Sequence, residues 1–300
     1  MPNAVAAAAP FGAARTWPRR LGLGRRAVPW LMLAPSFALM LYAFVLPMLT
    51  FFAYSFFTFR RGKIVEEFSL ATYRRFLFDA YYQTIVLDTL WMAALTTLLA
   101  IAIGYPLAYA LWRLRRPWAK RWLSLVVFSP VIVSVVVRSY GWTVLLADQG
   151  PVNWAIGTLG LSAPVPLVFN LTGVVLGLAH VFLPFVVFPI YSSMSRIDPA
   201  LHEAATDLGA GWARTFLRVT LPLTLPGLVA AIQIAFTLAL GAFVTPAMLG
   251  GGRVLVLPLQ VYNATAEINW PIAAVGGLAL LVIAMAVVAL CNRLLRYSET

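Results

Sequence analysis

The sequence predicts an all-α, polytopic membrane protein with six transmembrane helices, and three observations support this prediction. The chain of 300 residues is 62% hydrophobic and only 11% charged, whereas a soluble domain carries about 25% charged residues. Its apolar residues form continuous runs, not the alternating pattern of a membrane β-barrel. A helix needs about 20 apolar residues to cross the hydrocarbon core, and six runs reach that length.

The six predicted spans are separated by short polar segments. They cover about 30–58, 86–112, 121–146, 172–195, 222–249 and 270–292. The first run is uncharged from Ala27 to Phe59, which is longer than the apolar core of about 7–15 residues in a cleavable signal peptide. We therefore expect an uncleaved first span behind a partly disordered cytoplasmic tail, residues 1–28.

The basic residues determine the predicted orientation. The tail, the 113–121 and 196–218 loops and the C-terminal end would share one side, and together they contain 15 Lys and Arg residues. Because cytoplasmic loops carry the excess of Lys and Arg, both termini are predicted to be cytoplasmic. On the other side, aromatic and charged residues in 68–83 predict an interfacial helix, and the Gly and Pro residues of 148–171 predict a packed loop.

Composition also excludes several functions. The net charge of +12 does not indicate nucleic-acid binding, because the Arg clusters lie between apolar runs, where topology requires them. The single cysteine, Cys291, excludes an internal disulfide and a Cys-rich metal site, and His180 is alone in its span. We predict no metal site and no catalytic residue, and the chain has no Gly-x-x-x-x-Gly-Lys-Ser/Thr loop for ATP.

The polar segment between the fourth and fifth spans has the pattern of a short helical hairpin. Asp198 can cap a helix that begins at Pro199, and Gly209 can end it in a left-handed conformation. Between them, one apolar stripe contains Leu201, Ala204, Ala205 and Leu208. We expect a second helix over about 211–219, followed by a turn at Leu221-Pro222 into the fifth span.

This segment resembles the EAA motif of binding-protein-dependent ABC importer permeases. The motif elements are Glu203-Ala204-Ala205, Gly209 six residues after the glutamate, and Leu221-Pro222 beyond. The resemblance implies a type I ABC importer permease fold, with one permease domain over 29–296, a cytoplasmic coupling loop at 196–220 and a cytoplasmic end at 297–300. It also implies location in a bacterial inner membrane.

In that family the motif helix docks in a groove of the ATPase subunit. The resemblance therefore assigns an ionic contact to Glu203, close packing to Ala204 and Ala205, and the turn to Gly209. The residues assigned to ATPase coupling are Glu203, Ala204, Ala205, Leu208, Gly209 and Ala210. ATP and Mg would be bound by the ATPase, so this chain is expected to be a translocating subunit without a cofactor and not an enzyme.

Further strings resemble the spermidine/putrescine branch of these permeases. They are residues 104–109, 138–142, 250–253 and 269–271, and the similarity covers about 30–296. The resemblance implies two copies of an ABC ATPase, a second permease subunit that is usually a different chain, and a periplasmic solute-binding protein. Membrane lipid is a further expected partner, and nucleic acid is not.

Five residues are candidates for the substrate pathway: Asp88, Tyr140, Trp142, Phe243 and Trp270. A carboxylate and aromatic ring faces can attract a cation. Packing or interfacial anchoring is the alternative role for each ring, and Asp88 could instead pair with Arg138. Arg138 itself could line the pathway, reach outward or bind backbone carbonyls.

Other functions remain open at this point. Within the same class, the solute could be an iron complex, a sulfate-like anion or another amine. A stand-alone secondary transporter would leave the 203–209 string unexplained, and the chain has no evident internal repeat. A membrane-embedded enzyme is disfavoured because no span carries a cluster of His, Asp, Glu or Cys.

Overall fold

The computed structural model describes residues 28–160 and 164–298. The regular secondary structure of the described residues is helical except for one short β-hairpin, which fits the predicted all-α class. Almost all of the predicted cytoplasmic tail, 1–28, and the final residues 299–300 lie outside the described residues. The predictions for the tail, for the single domain over 29–296 and for the C-terminal end therefore stay predictions.

The helices are numbered in chain order. The described helices are α1 (Val28–Tyr54), α2 (Ala71–Phe78), α3 (Ala80–Arg113), α4 (Pro117–Ile132), α5 (Val135–Leu146), α6 (Pro151–Thr158), α7 (Leu171–Met194), α8 (Pro199–Asp207), α9 (Trp212–Thr215), α10 (Leu221–Leu240), α11 (Val244–Leu249), α12 (Leu257–Ala266) and α13 (Trp270–Ser298), with a π-helical turn at Phe216–Thr220. The hairpin pairs β1 (Thr58–Arg60) with β2 (Lys63–Val65) in antiparallel register.

The chain forms two compact units. The first ends at Thr50 and the second runs from Phe51 to the C-terminus. In the first unit, nearly every described side chain of α1 is exposed. Exposed side chains of this apolarity require lipid or another apolar surface as their environment.

Five described helical segments are long and apolar enough to cross a membrane, and a bent helix pair brings the total to six if it counts as one span. The predictions for the second, fourth and sixth spans are confirmed by α3, α7 and α13. In the first span, α1 ends at Tyr54, a few residues before the predicted end, and the hairpin follows it. Arg61 and Gly62 make the hairpin turn with φ of 50° and 77°.

The prediction of one continuous helix over 121–146 is wrong. Here α4 ends at Ile132, Val133 and Ser134 are extended, and the following helical segment is bent by 103° from α4. Arg138 explains how the break is tolerated, because its Nη1 donates hydrogen bonds to the carbonyl oxygens of Pro130 and Val133. These acceptors are freed at the end of α4, and lipid offers no water to satisfy them.

The predicted fifth span, 222–249, is also not one helix. It is divided into α10 and α11 by a break at 241–243. At its start, the predicted turn at Leu221-Pro222 is wrong, because the chain is helical from Trp212 to Leu240. The π-turn widens the backbone there, with Leu221 N–H bonded to Phe216 O. Pro222 is therefore accommodated within a continuous helix, whereas its ring would clash in a regular α-helix.

The segments that the sequence places on the outer side contain more helix than it indicates. The predicted interfacial helix over 68–83 is limited to α2, because the chain turns at Asp79, which caps α3 by accepting from Tyr81 N at 3.0 Å. The predicted loop over 148–171 contains α6, and α12 precedes the last span. In α12, Leu257 N donates to the buried Thr89 Oγ1 of α3 at 2.8 Å, which fixes α12 against α3.

The core of the second unit is built from α3, α7 and α10. A Cβ atom on Gly104 of α3 would lie 2.8 Å from Val186 Cγ1 of α7, and one on Gly227 of α10 would lie 2.6 Å from Pro189 O of α7. Both distances are too short for a real Cβ, so glycine permits each close approach. Small residues at helix contacts allow backbones to pack tightly in a membrane, and these three helices therefore form one closely packed body.

Candidate functional site

The helix α8, which carries the Glu203-Ala204-Ala205 string, begins and ends as its sequence predicts. At its start, Asp198 Oδ1 accepts a hydrogen bond from Ala200 N at 3.0 Å, and Pro199 occupies the first turn. Asp198 therefore satisfies one of the free N–H groups at the start of α8.

The end of α8 is a Schellman turn built on Gly209. Gly209 has a φ of +74°. Its N–H donates to Thr206 O at 2.9 Å, and Ala210 N–H donates to Ala205 O at 2.9 Å. These two bonds satisfy carbonyls that the end of a helix leaves free. The prediction that Gly209 would end the helix in a left-handed conformation is confirmed.

One face of α8 is free of contact with the rest of the described chain. No residue of α8 is buried. The predicted apolar stripe is largely exposed, with Leu201 at 46%, Leu208 at 87% and Ala204 also exposed, and Glu203 is exposed beside it. An exposed apolar stripe next to a carboxylate is typical of a protein contact surface.

The opposite face of α8 is fixed through His202. Its Nε2 lies 3.1 Å from Thr220 Oγ1 in the π-turn, and its ring centroid lies 5.2 Å from that of Trp112 on α3. Thr220 is buried. The helix is therefore attached to both α3 and the start of α10.

A group of aromatic residues, which we call the aromatic anchor, holds the next part of the segment. Its members are Tyr105, Tyr109 and Trp112 of α3, Trp212 of α9 and Phe216 of the π-turn. Trp212 Nε1 donates to Tyr109 OH at 2.9 Å, and the Trp212 ring stacks on Phe216 at 5.8 Å. Tyr105 OH lies 2.9 Å from Thr224 Oγ1 of α10. Polar tips and ring faces thus both contribute to the attachment.

A series of contacts links α8 to three of the long apolar helices. Contacts at His202 and in the aromatic anchor connect the segment to α3 and α10. These two helices pack closely on α7 through Gly104 and Gly227. Contacts therefore run without a gap from α8 through α3 and α10 to α7, and closely packed interiors have low compressibility.

His202 and the aromatic anchor were not identified from the sequence as parts of the site. One signal was available, because Tyr105, Tyr109 and Trp112 follow one another by four and three residues and so share a helix face. Their partners Trp212 and Phe216 lie 100 residues or more further along the chain. Only the three-dimensional structure places the two sets together.

The five pathway candidates do not form one cluster. Tyr140 is 64% exposed on α5, and Asp88 is exposed on α3. Among the described residues, none of the five forms a hydrogen bond or a ring pair with another of them. Each aromatic member other than Tyr140 has a partner of its own. Trp142 Nε1 lies 3.3 Å from His180 Nδ1. Phe243 stacks on Tyr262 with ring centroids 5.2 Å apart, and the ring centroids of Trp270 and Tyr54 are 6.2 Å apart.

Comparison with known proteins identifies the class. No protein-family model matches the chain. It is 33% identical over 251 residues to the spermidine/putrescine transport system permease protein PotB of Escherichia coli (strain K12), covering 82% of this chain and 89% of that protein. It is 30% identical over 243 residues to the inner membrane ABC transporter permease protein YdcU of the same strain, with 77% of each covered.

The fold matches as well. The solved structure of a bacterial ABC transporter involved in the import of the acidic polysaccharide alginate contains a chain with a TM-score of 0.76 and 19% identity. The match covers 91% of this chain and 96% of that chain. The architecture is therefore that of an ABC importer permease. With its sequence similarity to PotB and YdcU, the chain belongs to the family of ABC transporter permeases.

Proposed function

We propose that this chain is a membrane-spanning permease subunit of an ATP-driven importer for polyamines, located in a bacterial inner membrane with both termini in the cytoplasm. It would contain no cofactor of its own, and a separate ABC ATPase would bind and hydrolyse ATP. Family membership supports the permease role. The similarity to a spermidine/putrescine permease supports the substrate class.

The single observation that carries the coupling role is the exposed face of α8. That face presents Leu208, 87% exposed, and Glu203 beside small alanines, while its opposite face is fixed to α3 and α10. We propose that α8 docks in a groove of the ATPase, that Leu208 fills an apolar part of the groove and that Glu203 pairs with a basic side chain there. Closure of two ATPase copies would then move α3, α7 and α10.

A second permease and a periplasmic solute-binding protein complete the proposed complex. The described residues of one chain supply five or six candidate spans, and the exposed α1 offers an apolar surface to lipid or a second permease. We propose that a second permease, of different sequence, forms the other half of the pathway. The outer segments around α6 and α12 would face the binding protein.

The experiment that tests this function measures the ATPase activity of the complex co-purified with this chain. The complex is reconstituted with its binding protein, and putrescine or spermidine is added. We expect stimulation by either polyamine, and loss of that stimulation in Glu203→Ala with the complex still assembled. An active complex that is indifferent to both polyamines would refute the substrate, and a complex without an ATPase would refute the coupling role.

Asp88 offers a test of substrate charge. It is the one acidic residue within the described spans α1, α3, α4, α5, α7, α10 and α13, and it is exposed. A carboxylate at that depth attracts a cation strongly, because the surrounding dielectric is low. We expect Asp88→Asn to raise the polyamine concentration needed for half-maximal uptake. The exposed carboxylate of Asp148, in an outer loop, provides the control Asp148→Asn, which should leave that concentration unchanged.

A further inference from the structure

A cleft between α4 and α7 is lined by both basic and apolar side chains. None of its lining residues belongs to α8 or to the five pathway candidates. Its volume is about 650 Å³, and most of its lining comes from α4. The lining residues are Pro117, Lys120, Arg121, Ser124, Leu125 and Phe128 of α4, and Phe188 of α7. Spacings of three and four residues place the α4 members on one side of that helix.

The polarity of this side changes steadily along α4. Two cations, Lys120 and Arg121, lie near the start of the helix, and Ser124 follows one turn later. Leu125 and Phe128 line the far end. Because an α-helix rises 1.5 Å per residue, the distance from Arg121 to Phe128 along the axis is about 10 Å. A phospholipid has the same order of groups: a charged headgroup, polar esters and an apolar chain.

The basic end of the cleft favours an anion. No Asp or Glu occurs between Asp88 and Asp148, and α7 contains none. Lys120 is half-buried, with its Nζ held 4.8 Å from the centre of the Tyr191 ring. The first turn of α4 has neither a side-chain cap nor an acidic residue. Its free N–H groups therefore add to the positive potential of the two cations.

Two tryptophans indicate that this end lies at the surface of the membrane. Trp118 and Trp122 are 61% and 64% exposed on α4, on either side of Lys120 in sequence. Exposed indoles are enriched at the level of the lipid headgroups. An anion bound here would lie at headgroup depth above an apolar cleft. A phospholipid supplies both parts, whereas a soluble phosphate supplies only the first.

We propose that the cleft between α4 and α7 binds an anionic phospholipid. The side chains of Lys120 and Arg121 hold the headgroup phosphate, and the apolar end of the cleft holds the upper part of an acyl chain. Basic pockets between transmembrane helices are known to select anionic headgroups. The proposal does not depend on which solute is transported.

The test uses the assembled complex and phosphatidylglycerol as the probe. Native mass spectrometry counts the lipid that the complex retains after exchange into detergent. We expect Lys120→Gln with Arg121→Gln to lower the affinity for phosphatidylglycerol about 30-fold, at about 1 kcal/mol for each charge. The matched control is Arg115→Gln with Arg116→Gln, which removes two exposed charges outside the cleft. Retention by this control should stay within twofold of the unmodified complex.

A second variant tests the apolar end without changing charge. Leu125→Trp fills the cleft, and we expect it to lower phosphatidylglycerol retention, while inorganic phosphate fails to displace the lipid from the unmodified complex. Equal losses in the two double variants would overturn the proposal, as would equal retention of phosphatidylcholine. Cross-linking of Ser124→Cys to the second permease would reveal a protein in the cleft and would also overturn it.

Discussion

Replacing Gly209 by alanine tests whether the end of α8 depends on backbone conformation or on the size of the side chain. Gly209 has a φ of +74°, yet a Cβ atom there would meet nothing within 4 Å. Gly211, two residues later, also has open space around a Cβ, but its φ is −68°. The two glycines lie in the same exposed segment and differ in the conformation that each requires.

The size of the effect follows from this geometry. An L-residue in the left-handed region is disfavoured by roughly 1–2 kcal/mol. Because the added Cβ meets no atom of this chain, that conformational term is the whole penalty expected at Gly209. It lowers the population of the native turn by roughly 5- to 30-fold. At Gly211 the same substitution carries no such term, since alanine adopts a φ of −68° freely.

The assay compares Gly209→Ala, Gly209→Asn and Gly211→Ala in proteoliposomes that contain the whole importer. Substrate-stimulated ATPase activity reports coupling, and retention of the ATPase on the purified permease reports docking. Asparagine enters the left-handed region more readily than alanine. We therefore expect activity to fall in the order unmodified chain, Gly209→Asn and Gly209→Ala, with Gly211→Ala close to the unmodified chain.

Two results would refute this reasoning. Lower activity in Gly209→Asn than in Gly209→Ala would mean that contact between the side chain and the ATPase, not φ, decides the outcome. An equal loss in Gly211→Ala would mean that the segment needs flexibility at both glycines. In either case the Schellman turn would not be the feature that positions α8.

Two further predictions concern the attachment of α8 and the packing of α12. Trp212→Phe removes the bond to Tyr109 OH, so we expect the attachment of the segment to α3 to weaken by about 1 kcal/mol and coupling to weaken about fivefold. Tyr109→Phe should weaken coupling at least as much, because it also removes the bond from Arg113 Nη1. The double variant should be no worse than Tyr109→Phe. Thr89→Val leaves Leu257 N–H buried without its acceptor. We therefore expect the free energy of unfolding to fall by about 1–3 kcal/mol, which a lower unfolding temperature of the complex would report. Thr97→Val, which loses only a bond to its own helix, should change the unfolding temperature little.

The sequence predicted the elements whose signals are local. Span length follows from continuous apolarity, so α3, α7 and α13 were predicted. The start of α8 at Pro199 and its end at Gly209 depend on residues within one turn of each boundary. These features need no knowledge of the rest of the fold.

The sequence failed where hydrogen bonds to the backbone decide the structure. The uncharged run continues across Val133 and Ser134, and the break there is stabilised by Arg138, which donates hydrogen bonds to two backbone carbonyls at the break. Leu221-Pro222 carried a turn signal, but the π-turn before it lets the helix continue. In both places backbone hydrogen bonding determined the result, and residue composition does not record it.

Under the proposed coupling role, the two faces of α8 explain how a small helix would direct a large body. Its outer face ends in Leu208, whose exposure suits an apolar contact. Its inner face is tied to Thr220 and Trp112 by one polar and one aromatic contact, and the aromatic anchor continues that attachment along α3. Each of these interactions contributes only about 0.5–1.5 kcal/mol. Because they act on neighbouring turns of α3 and α10, however, a displacement of α8 would strain several contacts with these helices at once, and Gly104 and Gly227 pack the same helices against α7.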